Sequence, residues 1–205
     1  MTATTHDLAE SLQLGRHAQD LMFREARTAN TFSAEPVSDE QVRAIYELVK
    51  WAPTAMNSQP LRVVLVRSPQ ARERLLAHLA EGNRDKTRSA PLTAVLAADT
   101  GFHEHLDDLL PHAPGAKDRF ADPAARESTA RFNATLQIGY FLLGVRAAGL
   151  AAGPMGGFDR AGVDADFFPD GRYRSLLVVN IGRPGPDAWR ERLPRLAPDD
   201  VLSTV

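Results

Sequence analysis

Hydrophobic positions in this chain change period along its length, and the changes mark out its elements. Leu8, Leu12, Ala18, Leu21 and Met22 recur mostly at steps of three and four residues, which predicts an N-terminal helical arm over residues 1–20 and just beyond. Ser38, followed three residues later by Gln41, forms a capping box. Val42, Ile45, Leu48, Val49 and Ala52 then keep helical spacing until Pro53 forbids continuation. The β-branched run over residues 62–67 reads as a buried strand. A helix over 69–80, stopped by Gly82, leads through a short basic segment, 83–88, to a second strand over 92–98. Residues 102–110 suggest a short helix, and 111–120 are the most loop-like stretch of the chain. A long helix over about 123–148 carries Phe132, Leu136, Tyr140 and Leu143 on one stripe and stops at Gly149. Its uncharged part, 132–145, reads as a buried helix and is shorter than the ~20 residues of a membrane span. A glycine-rich turn over 153–159 and a strand over 175–182 follow, and the tail after it can hardly pack on its own.

Three apolar strands among helices point to a layered α/β or α+β fold whose sheet is buried on both faces. The length of 205 residues suits one domain spanning 1–205, and a composition of 43% hydrophobic and 24% charged residues excludes global disorder. A formal charge of −2 gives no basic footprint for nucleic acid. The chain has no cysteine, which removes disulfides, thiolate-bound metals and a cysteine nucleophile together. The N-terminus lacks the basic head and apolar block of a secretory signal, so a cytoplasmic location is expected. Arginine outnumbers lysine by 21 to 3, so a single arginine says little until its spacing supports it.

The chain also lacks an H-E-x-x-H pair, a G-x-S-x-G elbow, a dinucleotide fingerprint and a P-loop. No metal site and no membrane or nucleic-acid partner are expected. What stands out is a set of polar segments that interrupt structural patterns. Arg27, Thr28 and Asn30 offer donors to an anion where the first helix has ended. Two prolines bracket Thr54, Asn57, Ser58 and Gln59. Asn83 and Lys86 set an amide and an ammonium three residues apart. Gly156 and Gly157 allow close approach of backbone to a flat ligand.

In order, R-T-x-N-x-F, W-A-P-T-x-x-N-S-Q-P, G-N-x-x-K-T-x-x-A-P, F-N-A-T-L-Q, G-P-M-G-G-F-D, L-V-V-N-I-G and R-x-R-L-P span the chain from about Phe23 to Leu202. Together they resemble the nitroreductase family of FMN-dependent oxidoreductases, and within it the malonic semialdehyde reductases of pyrimidine breakdown. The resemblance implies an α+β fold with a mixed central sheet between helices, and an intertwined homodimer with FMN at the subunit interface. It places Arg27, Thr28, Arg190 and Arg192 at the flavin phosphate and ribityl chain. Asn30, like Ala26, stands in this cofactor-binding stretch where the wider family commonly has a basic residue. Pro53, Thr54, Ala55 and Asn57 match the segment supplied by the other subunit, and Asn83 and Lys86 match residues at the pyrimidine edge of the ring. Pro154, Met155, Gly156 and Gly157 match the turn covering the ring, with the Gly156 N–H at flavin N5.

A hydride arriving at N5 leaves negative charge near N1 and the C2 carbonyl, so the resemblance gives Lys86 and Gly156 the catalytic roles. NADH or NADPH and the acceptor would take turns at one open face, as ping-pong kinetics require. The acceptor expected is a small aldehyde such as malonic semialdehyde, reduced to 3-hydroxypropionate, or a nitro or quinone compound. A relative using another acceptor, oxygen included, and a non-catalytic flavin-binding scaffold dimer are the alternatives. Residues 102–120 are expected to cover the ring, with His105, His112, Lys117 and Arg119 available to a carboxylate substrate.

Overall fold

The structure is a computed structural model that describes residues 12–205. Leu8 and the first half of the predicted arm therefore lie outside the described residues. The described part holds helix α1, Arg16–Gln19, which runs into a π-helical turn, Asp20–Arg24. The capping box exists as read: the Ser38 hydroxyl accepts from the Gln41 N–H at 3.2 Å, and the Gln41 side chain accepts from the Ser38 N–H at 2.9 Å. It opens helix α2, Asp39–Val49. Strand β1 is Leu61–Val66, and Ser68 caps helix α3, Pro69–His78.

The basic segment expected as a connector is helix α4, Glu81–Ser89. Leu79 takes extended backbone and ends α3, so Gly82 falls in the first turn of the next helix, where the N–H groups have no intrahelical partner to lose. Strand β2, Leu92–Asp99, is buried along its whole length. The segment expected as a loop over 111–120 is ordered around its own small core. Turn Phe102–His105, helix α5, Leu106–Leu109, and turn Ala116–Phe120 bury Phe102, Leu106, Ala116 and Phe120 against Ala98, Ala130 and Ala134. The prolines and glycine that suggested a loop set turns between these short pieces.

Asp122 and Pro123 start helix α6, Pro123–Ala147, and Gly149 in the left-handed region, φ 71°, ends it. Strand β3 is Ala151–Met155, helix α7 is Arg160–Phe167, strand β4 is Tyr173–Gly182, and α8, Pro198–Val201, lies in the exposed tail. β3 takes the first residues of the expected glycine-rich turn. Gly153 and Pro154 disguise it, and an edge strand tolerates a proline because one side of its backbone has no ladder to fill.

The four strands lie in the order β1-β2-β4-β3. All the pairings are antiparallel, which corrects the mixed sheet for the strands described. The reason is visible between β1 and β2: α3 and α4 run out and back, so the chain re-enters beside the end it left, with Val66 opposite Thr93. One face of the sheet packs Leu92, Ala94, Leu96, Val179 and Ile181 with Ile45 of α2 and Ile138, Phe141 and Val145 of α6. The other packs Val95, Ala97 and Val178 with Leu75 and Leu76 of α3 and Val163 of α7.

α6 corrects the expected core stripe. Phe132, Leu136 and Tyr140 are 66%, 44% and 43% exposed, while Ala130, Ala134, Ile138, Phe141 and Val145 face the core. Both faces are apolar, so periodicity alone could not tell which one this chain buries. Among the described residues no helix is long and apolar enough to cross a membrane.

Candidate functional site

The stretch after α1 carries Arg27, Thr28 and Asn30 along the β3 edge of the sheet. The Ala29 N–H donates to the Ala152 carbonyl at 3.1 Å, and the Ala29 carbonyl passes 2.8 Å from where a Cβ on Gly153 would stand. Only glycine admits that approach. The chain leaving β4 then pairs back onto the same stretch. Ser33 N–H donates to the Arg183 carbonyl at 3.0 Å, Gly185 N–H to Thr31 at 3.1 Å, and Asn30 N–H to Ala188 at 3.0 Å. Arg27 and the C-terminal arginines, far apart in sequence, are thereby brought side by side.

They line one cleft of about 260 Å³, formed by Ala26, Arg27, Thr28, Asn30, Arg190 and Arg192 together with Glu191, Leu193 and Arg195. Arg27 Nη1 donates to the Arg190 carbonyl at 3.1 Å, and Arg192 donates to the carbonyls of Arg24 and Ala26. Among the described residues, none of Arg27, Arg190 and Arg192 is paired with a carboxylate. The Asn30 amide is engaged by the Thr28 and Ala188 carbonyls, at 3.3 and 3.4 Å, so it braces the cleft wall.

Asn83 and Lys86 sit one turn apart on α4, so they share a face. Asn83 Nδ2 donates to the Gly157 carbonyl at 2.9 Å, and the same carbonyl accepts from the Ala80 N–H at 3.0 Å. The turn after β3 is thus stitched to the start of α4. Gly156 and Gly157 are exposed, and nothing lies within 4 Å of a Cβ built on Gly156. The Gly156 N–H donates to no backbone carbonyl among the described residues. The Met155 side chain turns into the core, so only its backbone borders the turn.

Lys86, on the same face of α4 as Asn83, is half-buried. Burial, and then the nearby Arg190 guanidinium, push its pKa below the ordinary lysine value. It too has no carboxylate partner among the described residues.

Pro53, Thr54, Ala55 and Asn57 lie elsewhere. They precede β1, at the opposite edge of the sheet from β3, about 14 Å away at the usual strand spacing. Their segment holds Met56, Asn57 and Gln59 at φ of 55°, 50° and 42°. Such backbone is costly for side chains other than glycine and persists only when its surroundings fix it. They do so here: Asn133 Oδ1 accepts from the Ala55 N–H at 2.7 Å, Gln137 Oε1 from the Leu61 N–H at 2.9 Å, and Asn57 Nδ2 donates to the Leu109 carbonyl at 2.9 Å.

Asn133 and Gln137 are residues whose role the sequence motif F-N-A-T-L-Q contains without explaining. Polar side chains four apart on the inward side of an apolar helix were the available signal. The segment over 102–120 meets the Pro53–Asn57 group through Asn57, and its Lys117 is paired with Asp107 at 2.5 Å. That pairing takes one of the two cations expected to serve a carboxylate substrate.

The sequence profile of the Nitroreductase family matches residues 23–183. A Streptomyces coelicolor protein with the provisional name NADH dehydrogenase/NAD(P)H nitroreductase is 63% identical over 196 residues, covering 95% of this chain and all of that one. A similarly named Rhodopseudomonas palustris protein is 45% identical over 186 residues, covering 91% of this chain and 95% of its own length. The crystal structure of a provisionally named nitroreductase from Exiguobacterium sibiricum, in complex with FMN, superposes with a TM-score of 0.79 at 19% identity, over 95% of this chain and 100% of that one. A Bacillus subtilis structure gives 0.79 at 22% identity, over 90% and 97%. At these identities the structures speak for the fold alone.

Proposed function

This chain belongs to the Nitroreductase family, and on that premise we propose that it is an FMN-dependent NAD(P)H oxidoreductase working by ping-pong hydride transfer. The observation that carries the reading is the cleft in which Arg27, Arg190 and Arg192 converge without carboxylate partners among the described residues, with Lys86 near enough to Arg190 for the two charges to repel. Unpaired cations gathered this way suit a dianionic phosphate, and the open glycine turn beside them suits a flat ring. The residues present therefore fit FMN. When bound, FMN supplies the relay that takes a hydride from the nicotinamide and passes it to the acceptor.

Arg27, Arg190 and Arg192 would hold the phosphate, with Thr28 beside them and Asn30 bracing the wall. Asn83 fixes the turn and Lys86 keeps a cation at the edge where negative charge develops. The Gly156 N–H, free of backbone acceptors, offers a donor to the reacting end, while Gly157, with no side chain, gives the Asn83 amide room to hold the turn that the chain enters from Pro154 and Met155 of β3. Pro53, Thr54, Ala55 and Asn57 cannot reach this cleft within one chain, so the complete site is proposed to form in a homodimer, each copy supplying its β1-edge segment to the other. The acceptor proposed is a small aldehyde such as malonic semialdehyde, which takes a hydride and a proton to become 3-hydroxypropionate, or else a nitro or quinone compound.

The test is the absorption spectrum of the purified protein before and after anaerobic addition of NADH or NADPH. A yellow protein that bleaches, and regains colour with one of these acceptors, is the expected result. A protein that takes up no FMN overturns the reading. A yellow protein that never bleaches makes it a flavin-binding scaffold instead.

A further inference from the structure

Beneath the site the core contains a chain of polar groups that the proposed chemistry does not use. Thr93 on β2, Asn180 on β4 and Thr87 on α4 have no exposed surface, and Met155 at the end of β3 is 4% exposed. Thr93 Oγ1 donates to Asn180 Oδ1 at 2.9 Å, Asn180 Nδ2 donates to Thr87 Oγ1 at 3.0 Å, and Thr87 Oγ1 donates to the Met155 thioether at 3.7 Å. Asn180 stands between Thr93 and Gly153 in the ladder register, so the chain crosses β2, β4, α4 and β3 in sequence.

Buried polar groups cost free energy unless partnered, and an all-apolar core would fill the same space without that demand. The placement suggests what the chain of bonds does. Thr87 directly follows Lys86, and Met155 directly precedes Gly156. Along α4, the hydroxyl of Thr87 is the inward anchor of the turn whose half-exposed neighbour is the site cation.

We infer that Asn180 and Thr87 are positioning residues, which lock α4 to the end of β3 so that the Lys86 ammonium and the Gly156 N–H hold one fixed spacing toward the flavin. The inference rests on the proposed function. Preorganised charge stabilises a developing anion only if its position is not free to relax, so a looser α4 lowers the effect of Lys86 without removing it.

The experiment compares Thr87→Val, which keeps the shape and removes the hydroxyl, with Thr87→Ser, which keeps the hydroxyl. FMN affinity, the rate of flavin reduction by the nicotinamide, and thermal unfolding of the FMN-free protein are measured for each. Thr87→Val is expected to slow reduction by about 10-fold and to weaken FMN binding several-fold, and Thr87→Ser to restore both toward wild type. In a Lys86→Met background, Thr87→Val should have little further effect on the rate, because the group it positions is gone. Loss of thermal stability in Thr87→Val with affinity and rate unchanged overturns the inference and leaves a packing role. Equal slowing by Thr87→Val with and without Lys86 also overturns it. A wild-type protein that binds no FMN is a separate outcome, which defeats the functional reading itself.

Discussion

Lys86 carries a proton less firmly than an ordinary lysine, because it is half-buried and faces an arginine rather than a carboxylate. The charged form exists below its lowered pKa and is lost as pH rises through it. Flavin reduction is therefore expected to slow on the alkaline side, at a pH below that at which a free lysine titrates, about 10.4. Lys86→Met should remove this alkaline limb and slow reduction by roughly 100-fold at the pH values where Lys86 is charged, the usual consequence of deleting a preorganised donor, with the difference shrinking as the wild-type lysine loses its proton. Stopped-flow rates across the alkaline range check both points, and a limb that persists in the methionine variant excludes Lys86 from the role. Arg192 makes a different kind of contribution, to binding rather than to rate. Arg192→Ala is expected to weaken FMN by roughly 10- to 150-fold and to leave riboflavin, which lacks the phosphate, unaffected. Titration by flavin fluorescence decides it, since equal losses for both ligands would move the phosphate elsewhere.

Among the elements, α2 and α6 show most directly how packing fixes what sequence leaves open. They touch at Gly144, where a Cβ would stand 2.4 Å from Val49 Cγ1 and 3.1 Å from Ile45 Cγ2. Gly144→Ala is expected to destabilise the protein by about 1 to 3 kcal/mol, although alanine is the better helix former, because the helices must part to admit the methyl group. A lower urea midpoint with an unchanged slope is the expected result, and an unchanged midpoint would show that the crossing is looser than it looks. The contact matters for the site because α6, two to three turns before Gly144, presents Gln137 and Asn133 to the strained backbone over 54–61. Helix α4 carries the complementary lesson. Its residues are almost all polar, so no apolar stripe announces it. It forms because Thr87 and Ala90 anchor its inner side in the core.

For the whole molecule, the exposed face of α6 decides the assembly proposed here. Phe132, Leu136 and Tyr140 on α6 and Tyr46, Leu48 and Trp51 at the end of α2 are all exposed, with Trp51 at 80%. A helix apolar on every side is normally buried on every side, and a second copy is the proposed cover. Gly139 lies one turn beyond Leu136 with nothing within 4 Å of a Cβ built there, so Gly139→Arg should not disturb a single chain. It is expected to split the dimer and lower FMN affinity together, as sedimentation and flavin titration would report. A variant that remains dimeric would place the interface on another face. The capped helix α2, the three strands and the arginine-bearing segments were legible in the sequence, because capping boxes, β-branched runs and glycine stops are local signals with local causes. The fourth strand, the helical nature of α4, the outward face of α6 and the bonds of Thr87 and Asn180 were not. Each depends on contacts between residues distant in the chain: an edge that tolerates Pro154, a core that anchors Thr87, and a choice between two apolar faces that only the packed sheet could make. The meeting of Arg27 with Arg190 and Arg192 is of the same kind. Sequence supplied the charges, and the pairing of residues 30–33 with 183–188 decided that they share a cleft.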